Sequence, residues 1–229
     1  MAITKKYAII VAGGSGLRMQ TAISKQFLLL KGLPVLMHTI KAFVIKNLSI
    51  DIILVLPDSQ IKYWQNLCKV YQFNYPTTIA KGGATRFHSV QNALQHIPTK
   101  SNAIVAVHDA VRPFIDATTI TKLFQEAERY GNAVPCIPLN DSLRKINGNT
   151  NIALNRNDYC SVQTPQCFEI TSIKKAYEQN FSTAFTDDAS VVETTGELIH
   201  LTEGNLKNIK ITTPQDLIIA AALLSQEII

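Results

Sequence analysis

Four short runs of apolar residues recur along the chain, and each ends at a glycine, a proline or a polar residue. The runs cover residues 7–12, 51–56, 103–107 and 133–137. Strands that are apolar at nearly every position are covered on both faces, which is typical of a parallel sheet. These runs therefore predict four strands of a mostly parallel sheet.

Other segments carry apolar residues three and four positions apart, as amphipathic helices do. They cover residues 35–44, 60–71, 85–94, 117–130 and 214–224. Thr213 and Pro214 suit the N-cap and the first turn of the last helix. The alternation predicts an α/β fold, a three-layer α/β/α sandwich with a mostly parallel, Rossmann-like sheet. Ligands of such sheets bind beyond the carboxyl ends of the strands.

The polar stretch at residues 140–157 interrupts this alternation. Its two β-prone halves flank Asn147 and Gly148, and Asn-Gly is a strong hairpin signal. We predict a hairpin arm, about residues 139–157, that projects from a single domain spanning residues 1–229. Because an isolated hairpin is marginally stable in water, such an arm is hard to explain without a partner.

Composition and charge narrow the class of protein. With 46% hydrophobic and 17% charged residues, the 229-residue chain is typical of globular proteins. The net charge of +5 is compatible with acidic small molecules, and no basic run indicates a nucleic-acid partner. No apolar run approaches the roughly 20 residues of a membrane span, and the apolar stretch near the N terminus is too short for a signal peptide. We therefore expect a cytoplasmic protein.

The cysteines show no metal-binding or redox motif. Their spacing contains no CxxC pair, and no histidine cluster accompanies them. We expect free thiols in a reducing compartment. They are Cys68, Cys136, Cys160 and Cys167.

A glycine-rich loop follows the first predicted strand, in the string VAGGSGLRM at residues 11–19. Gly13, Gly14 and Gly16 let the backbone approach a ligand, so that several N–H groups can point at one phosphate chain. Arg18 and Lys25 add positive charge nearby. The P-loop string GxxxxGK[ST] is absent, and Met19 stands where the dinucleotide fingerprint needs glycine.

Together with SKQF at residues 24–27, this string resembles the start of the nucleotidyltransferase superfamily of sugar-nucleotide pyrophosphorylases. Further motifs follow in the order found in the 2-C-methyl-D-erythritol 4-phosphate cytidylyltransferase family, and the resemblance runs from about residue 7 to 224. They are KGGATRFHSV at 81–90, VHDAVRP at 107–113, Arg156, TPQ at 164–166, TDDAS at 186–190, and NIKITTP at 208–214.

The resemblance implies that a phosphate oxygen of a sugar-alcohol phosphate attacks the α-phosphorus of CTP and releases pyrophosphate. It implies that Arg18 and Lys25 stabilise the transition state and that Asp109 holds Mg²⁺. Without the resemblance, Asp109 is as readily a helix cap or a salt-bridge partner of Arg112. His108 is read as structural rather than as a general base, because a phosphate nucleophile is already ionised near neutral pH.

The remaining implied roles concern the two substrates. CTP would contact backbone and small side chains at Ala12, Gly13, Gly14, Gly16, Gly82, Gly83, Ser89, Asp109 and Ala110. The acceptor phosphate would be held by Arg156 and Lys210, with contributions from Ser142 and Arg144 on the arm. In the family the arm reaches a neighbouring subunit, which implies a homodimer. Without the resemblance, Arg156 and Lys210 are equally consistent with ordinary surface charges, and Ser89 is consistent with a residue on the face of a helix.

Two other functions fit parts of the sequence. Ribitol-5-phosphate cytidylyltransferase shares the fold and the reaction, but the arm string DSLR and the string TDDASVVE resemble the erythritol type. A CTP-binding module without activity would be expected to lack Arg18, Lys25 or Asp109, and all three are present. The first discriminating observation is which acceptor supports pyrophosphate release.

Overall fold

The computed structural model describes residues 4–13, 23–46, 48–98 and 102–226. Within these ranges the strands are β1 Lys5–Val11, β2 Leu29–Leu30, β3 Leu33–Pro34, β4 Ile50–Leu56, β5 Thr77–Lys81, β6 Ala103–Asp109, β7 Asn132–Pro138, β8 Leu143–Asn147, β9 Thr150–Leu154, β10 Cys160–Val162, β11 Gln166–Glu169 and β12 Leu201–Glu203. The α-helices are α1 Val35–Ala42, α2 Asp58–Val70, α3 Arg86–Leu94, α4 Ala117–Tyr130, α5 Ile170–Ala176, α6 Asp188–Glu193 and α7 Pro214–Gln226.

A mixed sheet, eight-stranded in the described part of the chain, forms the middle layer. β1 lies at its centre, between β4 and β6, and both pairings are parallel. β5 extends the parallel part beyond β4. The apolar run at residues 133–137 corresponds to β7, which is parallel to β12 but antiparallel to β10 and β11. The short strand β11 separates β6 from β7 and runs antiparallel to both.

Alternate residues of the central strands pack on opposite helical layers, as the period of two requires. Ala8 and Ile10 of β1 join a core with α1, α2 and α4, whereas Tyr7 and Ile9 join a core with α3, α5 and α6. α7 packs beside Leu30 and Val111 in a third cluster. The predicted three-layer α/β fold is confirmed.

All five predicted helices agree with the structure within two residues at each end. Capping residues mark some of these ends, whereas α1 and α2 begin after prolines without a side-chain cap. α4 begins after Asp116, whose carboxylate accepts from Thr119 N–H at 2.7 Å, and ends at Gly131, with φ of 84°. In α7, Asp216 N–H donates to Thr213 Oγ1 at 3.3 Å, which matches the predicted cap. The strands and α-helices that were not predicted from the sequence are β2, β3, β5, β10, β11, β12, α5 and α6.

The predicted hairpin is formed by β8 and β9, and Asn147 pairs with Thr150 across the turn. Gly148 takes the left-handed conformation, with φ of 58°, which glycine adopts without strain. Both strands are largely exposed, including Ile146 at 77% and Ile152 at 60%.

The structure also bears on two expectations from the sequence, that the cysteines are free thiols and that no segment spans a membrane. All four cysteines are free thiols, and Cys167 is the one that is fully buried. In the described residues, every helix is too short or too polar to cross a bilayer. This finding leaves the cytoplasmic location as a prediction.

Candidate active site

A cavity of about 270 Å³ opens at the carboxyl ends of β1 and β6, where the ligand rule for α/β sheets places a site. Polar and cationic side chains share its wall with backbone from two glycine-containing loops. The lining residues are Val11, Ala12, Gly13, Lys25, Gln26, Gly83, Ala84, Thr85, Arg86, Ser89, Asp109, Ala110, Val111 and Lys210.

One wall is built by close contact between Gly83 and the start of α3. Gly83 N–H donates to Ser89 Oγ at 3.0 Å, and Ser89 Oγ donates to Thr85 O at 2.9 Å. A Cβ atom on Gly83 would lie 2.4 Å from His88 Cβ, so a side chain does not fit there. On Gly13 a Cβ atom would lie 3.4 Å from Ser89 Oγ. These small residues keep Ser89 against the two loops.

Asp109 ends β6 and is surrounded by three cations. Its carboxylate lies 2.8 Å from Lys210 Nζ, 3.4 Å from Arg112 Nε and 3.7 Å from Arg86 Nε. Burial opposes ionisation of this carboxyl, but the charges of Arg86, Lys210 and Arg112 outweigh burial and hold its pKa well below the usual range. Asp109 therefore presents to the cavity an ionised carboxylate, whose oxygens are of the type that coordinates hard metal ions.

Arg86 is fixed by a second carboxylate on its far side. Its Nη1 and Nη2 atoms donate to the two oxygens of Asp188 at 2.8 and 2.6 Å, and Tyr177 Oη donates to Asp188 Oδ1 at 2.6 Å. Asp188 is fully buried. Burial alone would lower the pKa of Arg86, but the pairing with Asp188 outweighs burial and raises this pKa, so the guanidinium stays charged. Arg86 thus links α6 to the cavity.

His108 is fully buried beside the cavity and makes structural hydrogen bonds. Its Nε2 lies 3.1 Å from Arg112 O, which accepts only, so Nε2 carries the proton and Nδ1 accepts from Thr164 Oγ1 at 3.1 Å. Thr164 Oγ1 in turn accepts from Asp109 N–H at 3.1 Å. Burial lowers the pKa of His108 to about 4. These contacts support the structural role expected for His108.

The predicted site residues fall into three groups. Most of the predicted CTP-binding residues line the cavity together with Lys25 and Lys210; Gly82 lies next to it, its N–H donating to Leu56 O at 2.8 Å. Gly14, Gly16 and Arg18 lie outside the described residues. Ser142, Arg144 and Arg156 are exposed in or beside the arm and do not line this cavity. Within the arm region, Arg144 donates to Asn151 and Arg156 donates to Asn140 O.

Arg86 and Asp188 were not predicted from the sequence, and Arg112 was expected only as a salt-bridge partner of Asp109, which it contacts at 3.4 Å. Arg86 and Asp188 form an ion pair across 102 positions of the chain, and Arg112 donates to Asn208 O at 2.8 Å, beside Lys210. All three lie inside recognised motifs, which was the available signal. The pairing itself depends on the packing of α3 against α6, and no spacing along the chain reveals it.

The donor set around Asp109 suits a metal ion held mainly by a nucleotide. In the described ranges no three His, Cys, Asp or Glu side chains converge as a ready-made metal cage. Mg²⁺ is commonly held by one or two carboxylates, with waters and substrate phosphates completing its shell. A single ionised carboxylate at the mouth of a cationic cavity fits that pattern.

An α/β sandwich that combines a glycine-lined strand end, convergent cations and one ionised carboxylate has the features expected of a nucleotidyltransferase. The family model of 2-C-methyl-D-erythritol 4-phosphate cytidylyltransferase matches residues 7–226. The chain belongs to this family, which confirms the resemblance found in the sequence.

This chain is similar to known relatives and solved structures over nearly its whole length. The enzyme of that name from Phocaeicola vulgatus is 48% identical over 219 residues, covering 96% of this chain and 99% of the relative. The one from Azobacteroides pseudotrichonymphae is 49% identical over 222 residues, covering 96% and 99%. The crystal structure of 4-diphosphocytidyl-2C-methyl-D-erythritol synthase from Anaerococcus prevotii is 27% identical, with a TM-score of 0.81 and coverage of 97% and 96%. The Francisella tularensis enzyme structure is 30% identical, with a TM-score of 0.78 and coverage of 95% and 98%.

Proposed function

We propose that the cavity binds CTP and that the chain, acting as one domain over residues 1–229, transfers the cytidylyl group to 2-C-methyl-D-erythritol 4-phosphate. The observation that carries this proposal is the convergence of Lys25, Arg86 and Lys210 on the wall of one cavity with Asp109. The products are 4-diphosphocytidyl-2-C-methyl-D-erythritol and pyrophosphate.

Ser89 gives a physical basis for choosing cytosine. Its single hydroxyl hydrogen is donated to Thr85 O, and Gly83 N–H occupies one lone pair, so one lone pair is left to accept. Cytosine presents an amino group that donates, whereas uracil presents a carbonyl oxygen in the same place. We propose that Ser89 and the backbone near Gly13, Gly82 and Gly83 read the base edge.

The chemical step joins groups that are all negatively charged. An oxygen of the acceptor phosphate forms a bond to the α-phosphorus of CTP, and the bond from that phosphorus to the bridging oxygen of pyrophosphate breaks. The main tasks are therefore alignment and charge neutralisation. We assign these tasks to Lys25, and to Arg18 as predicted from the sequence. No general base is needed, because the attacking phosphate oxygen carries no proton near neutral pH.

Asp109 would hold Mg²⁺ against the triphosphate, and the ion would neutralise phosphate charge when bound. In the structure the carboxylate is paired with Lys210 and Arg112 on one side. Both cations remain near the cavity if Asp109 turns toward a metal ion. Lys210 is then available to the acceptor phosphate, which is the role expected for it.

The acceptor site is proposed to be completed by a second copy of the chain. Arg156, Ser142 and Arg144 are exposed in or beside the arm and do not line the cavity of their own chain. The arm also exposes Ile146 and Ile152 without a core of its own. A homodimer in which the arm reaches the neighbouring cavity would cover these side chains and deliver Arg156. A cytoplasmic location remains a prediction.

Pyrophosphate release from CTP and Mg²⁺, with methylerythritol 4-phosphate and ribitol 5-phosphate as separate acceptors, tests the proposal. We expect release with methylerythritol 4-phosphate alone. Release with ribitol 5-phosphate alone would overturn the proposed identity of the acceptor. No pyrophosphate release with either acceptor would favour a CTP-binding module without activity. With the true acceptor, Arg156→Ala should raise the acceptor KM while leaving the KM for CTP within about twofold.

A further inference from the structure

The turn that carries Lys25 is tied to α2. Residues Lys25–Phe27 form a single 3-10 turn, closed by Phe27 N–H donating to Ser24 O at 2.8 Å. The buried Phe27 ring contacts Tyr63 edge-to-face at 5.0 Å and stacks near Trp64 at 6.5 Å. These contacts anchor the end of the turn, one residue beyond Gln26.

Gln26 ties the same turn to the end of β1. Its side chain is buried, and its amide nitrogen donates to Ala12 O at 2.9 Å and to Gln60 Oε1 at 2.8 Å. An amide nitrogen carries two hydrogens, so both are used. The orientation of Gln26 therefore depends on the acceptor that Gln60 supplies.

Gln60 completes the connection from the first turn of α2. Its amide nitrogen donates to Ser24 Oγ at 2.8 Å, while its amide oxygen accepts from Gln26. One side chain thus binds the residues on both sides of Lys25. Gln60 itself is absent from the residues that line the cavity and lies outside every motif noted above.

We propose that Gln60 is a positioning residue that fixes the backbone under Lys25, an inference that rests on the proposed catalytic role of Lys25. Lysine has a long flexible side chain, so the placement of its ammonium group depends on a fixed backbone. A displacement of about 1 Å in a catalytic group can cost about 100-fold in rate. Gln60 acts as donor in one of its two contacts and as acceptor in the other, so an apolar side chain of similar size would lose both.

The first test compares Gln60→Leu with Gln179→Leu. Gln60→Leu keeps much of the volume and removes both hydrogen bonds, so kcat should fall about tenfold while the KM for CTP stays within about twofold. Gln179 is a matched control, because its amide nitrogen donates to Ala176 O and Val191 O and its oxygen accepts from Thr194. Gln179→Leu should keep the wild-type kcat; an equal fall in kcat for both variants would overturn the proposal.

A double-mutant cycle with Lys25→Ala separates positioning from a general structural effect, with rates measured in single-turnover reactions. In the Lys25→Ala background, Gln60→Leu should cost nothing further, because the group that it positions is gone. The same tenfold loss in both backgrounds would overturn the proposal. Full turnover by Lys25→Ala would instead remove the catalytic role of Lys25. If Gln60→Leu does not fold, Ser24→Ala removes one of the two contacts and should lower kcat by a smaller factor; an unchanged kcat would count against the inference.

Discussion

Lys210 Nζ lies 2.8 Å from the carboxylate of Asp109, although the two residues are 101 positions apart. The contact joins the end of β6 to the segment before α7. It places a proposed metal ligand and a proposed acceptor-binding cation on the wall of one cavity. The two substrates of the transfer would therefore meet at this pair.

Replacing Asp109 by asparagine should lower kcat by about 100-fold at saturating CTP and acceptor. The change removes a carboxylate that faces three cations, and with it the proposed ligand for Mg²⁺. Pyrophosphate release measured over a Mg²⁺ titration checks this, with Asp58→Asn as an exposed control. Unchanged rate and Mg²⁺ dependence in Asp109→Asn would remove the metal role from this residue.

Gly83→Ala should raise the KM for CTP by about tenfold, a loss of about 1.4 kcal/mol in binding. The added Cβ would lie 2.4 Å from His88 Cβ and 2.9 Å from the His88 carbonyl carbon, so the loop must move away from α3. Gly82→Ala is the steric comparison within the same proposed base-reading loop, because its Cβ would meet its nearest atoms at 3.5 Å and the backbone need not move. Steady-state kinetics of the two variants should differ, and equal KM values would contradict this account of the loop.

The sequence was sufficient for elements whose signals are local. Helix α4 was predicted at its observed bounds from its apolar spacing, and in the structure Asp116 caps its start and Gly131 ends it. The central strands were found because they are apolar on both faces. By contrast, β10 and β12 have three residues each, and their stability comes from pairing with β7 rather than from their own composition.

The same distinction applies to the site. Asp109 was identified partly because it follows a predicted strand, and the carboxyl ends of parallel strands meet at one edge of the sheet. Gly83 was identified from the family resemblance of its motif alone, since β5, which precedes it, was not predicted. The contacts of Gln60 and Asp188 were not predicted, because they depend on how helices pack on that sheet. Arg156 does not line the cavity of its own chain, so the acceptor-binding role proposed for it would require a second copy.

Asp188→Asn should lower the free energy of unfolding by about 3 kcal/mol, because it removes one partner of a buried ion pair. The fully buried carboxylate of Asp188 receives two bonds from Arg86 and one from Tyr177. Urea denaturation measures the change. Asp58→Asn again serves as the control, since its pair with Lys81 is about 70% exposed and should contribute less than about 1 kcal/mol. Similar losses in both variants would show that burial of the ion pair does not determine the decrease in the free energy of unfolding.

Charged residues at the tip of the arm should dissociate the proposed dimer. Ile146→Asp combined with Ile152→Asp places two carboxylates on a surface that is exposed in one chain and, by our proposal, buried in two. Sedimentation velocity should show a dimer for the wild type and a monomer for this variant. Leu198→Asp, at a side chain that is 91% exposed, should stay dimeric. A monomeric wild type would leave the acceptor site without Arg156.

The buried imidazole of His108 should make the folded state lose stability as the pH falls from about 6.5 toward 4. Burial lowers its pKa from 6.5 to about 4, so in this range the unfolded chain binds a proton that the folded chain does not. The full effect corresponds to about 3 kcal/mol at this one group. Stability from this source is present above pH 6.5.

Urea denaturation at several pH values between 4 and 7 measures this loss. His108→Gln removes the titrating group, so its free energy of unfolding should fall less steeply with decreasing pH than that of the wild type. His96→Gln, at an exposed position, is the control for losing an imidazole. If His108→Gln kept the full wild-type slope, the pH dependence would have to come from other groups. A smaller slope would show that the imidazole is neutral in the folded chain, in agreement with its hydrogen bonds to Arg112 O and Thr164 Oγ1.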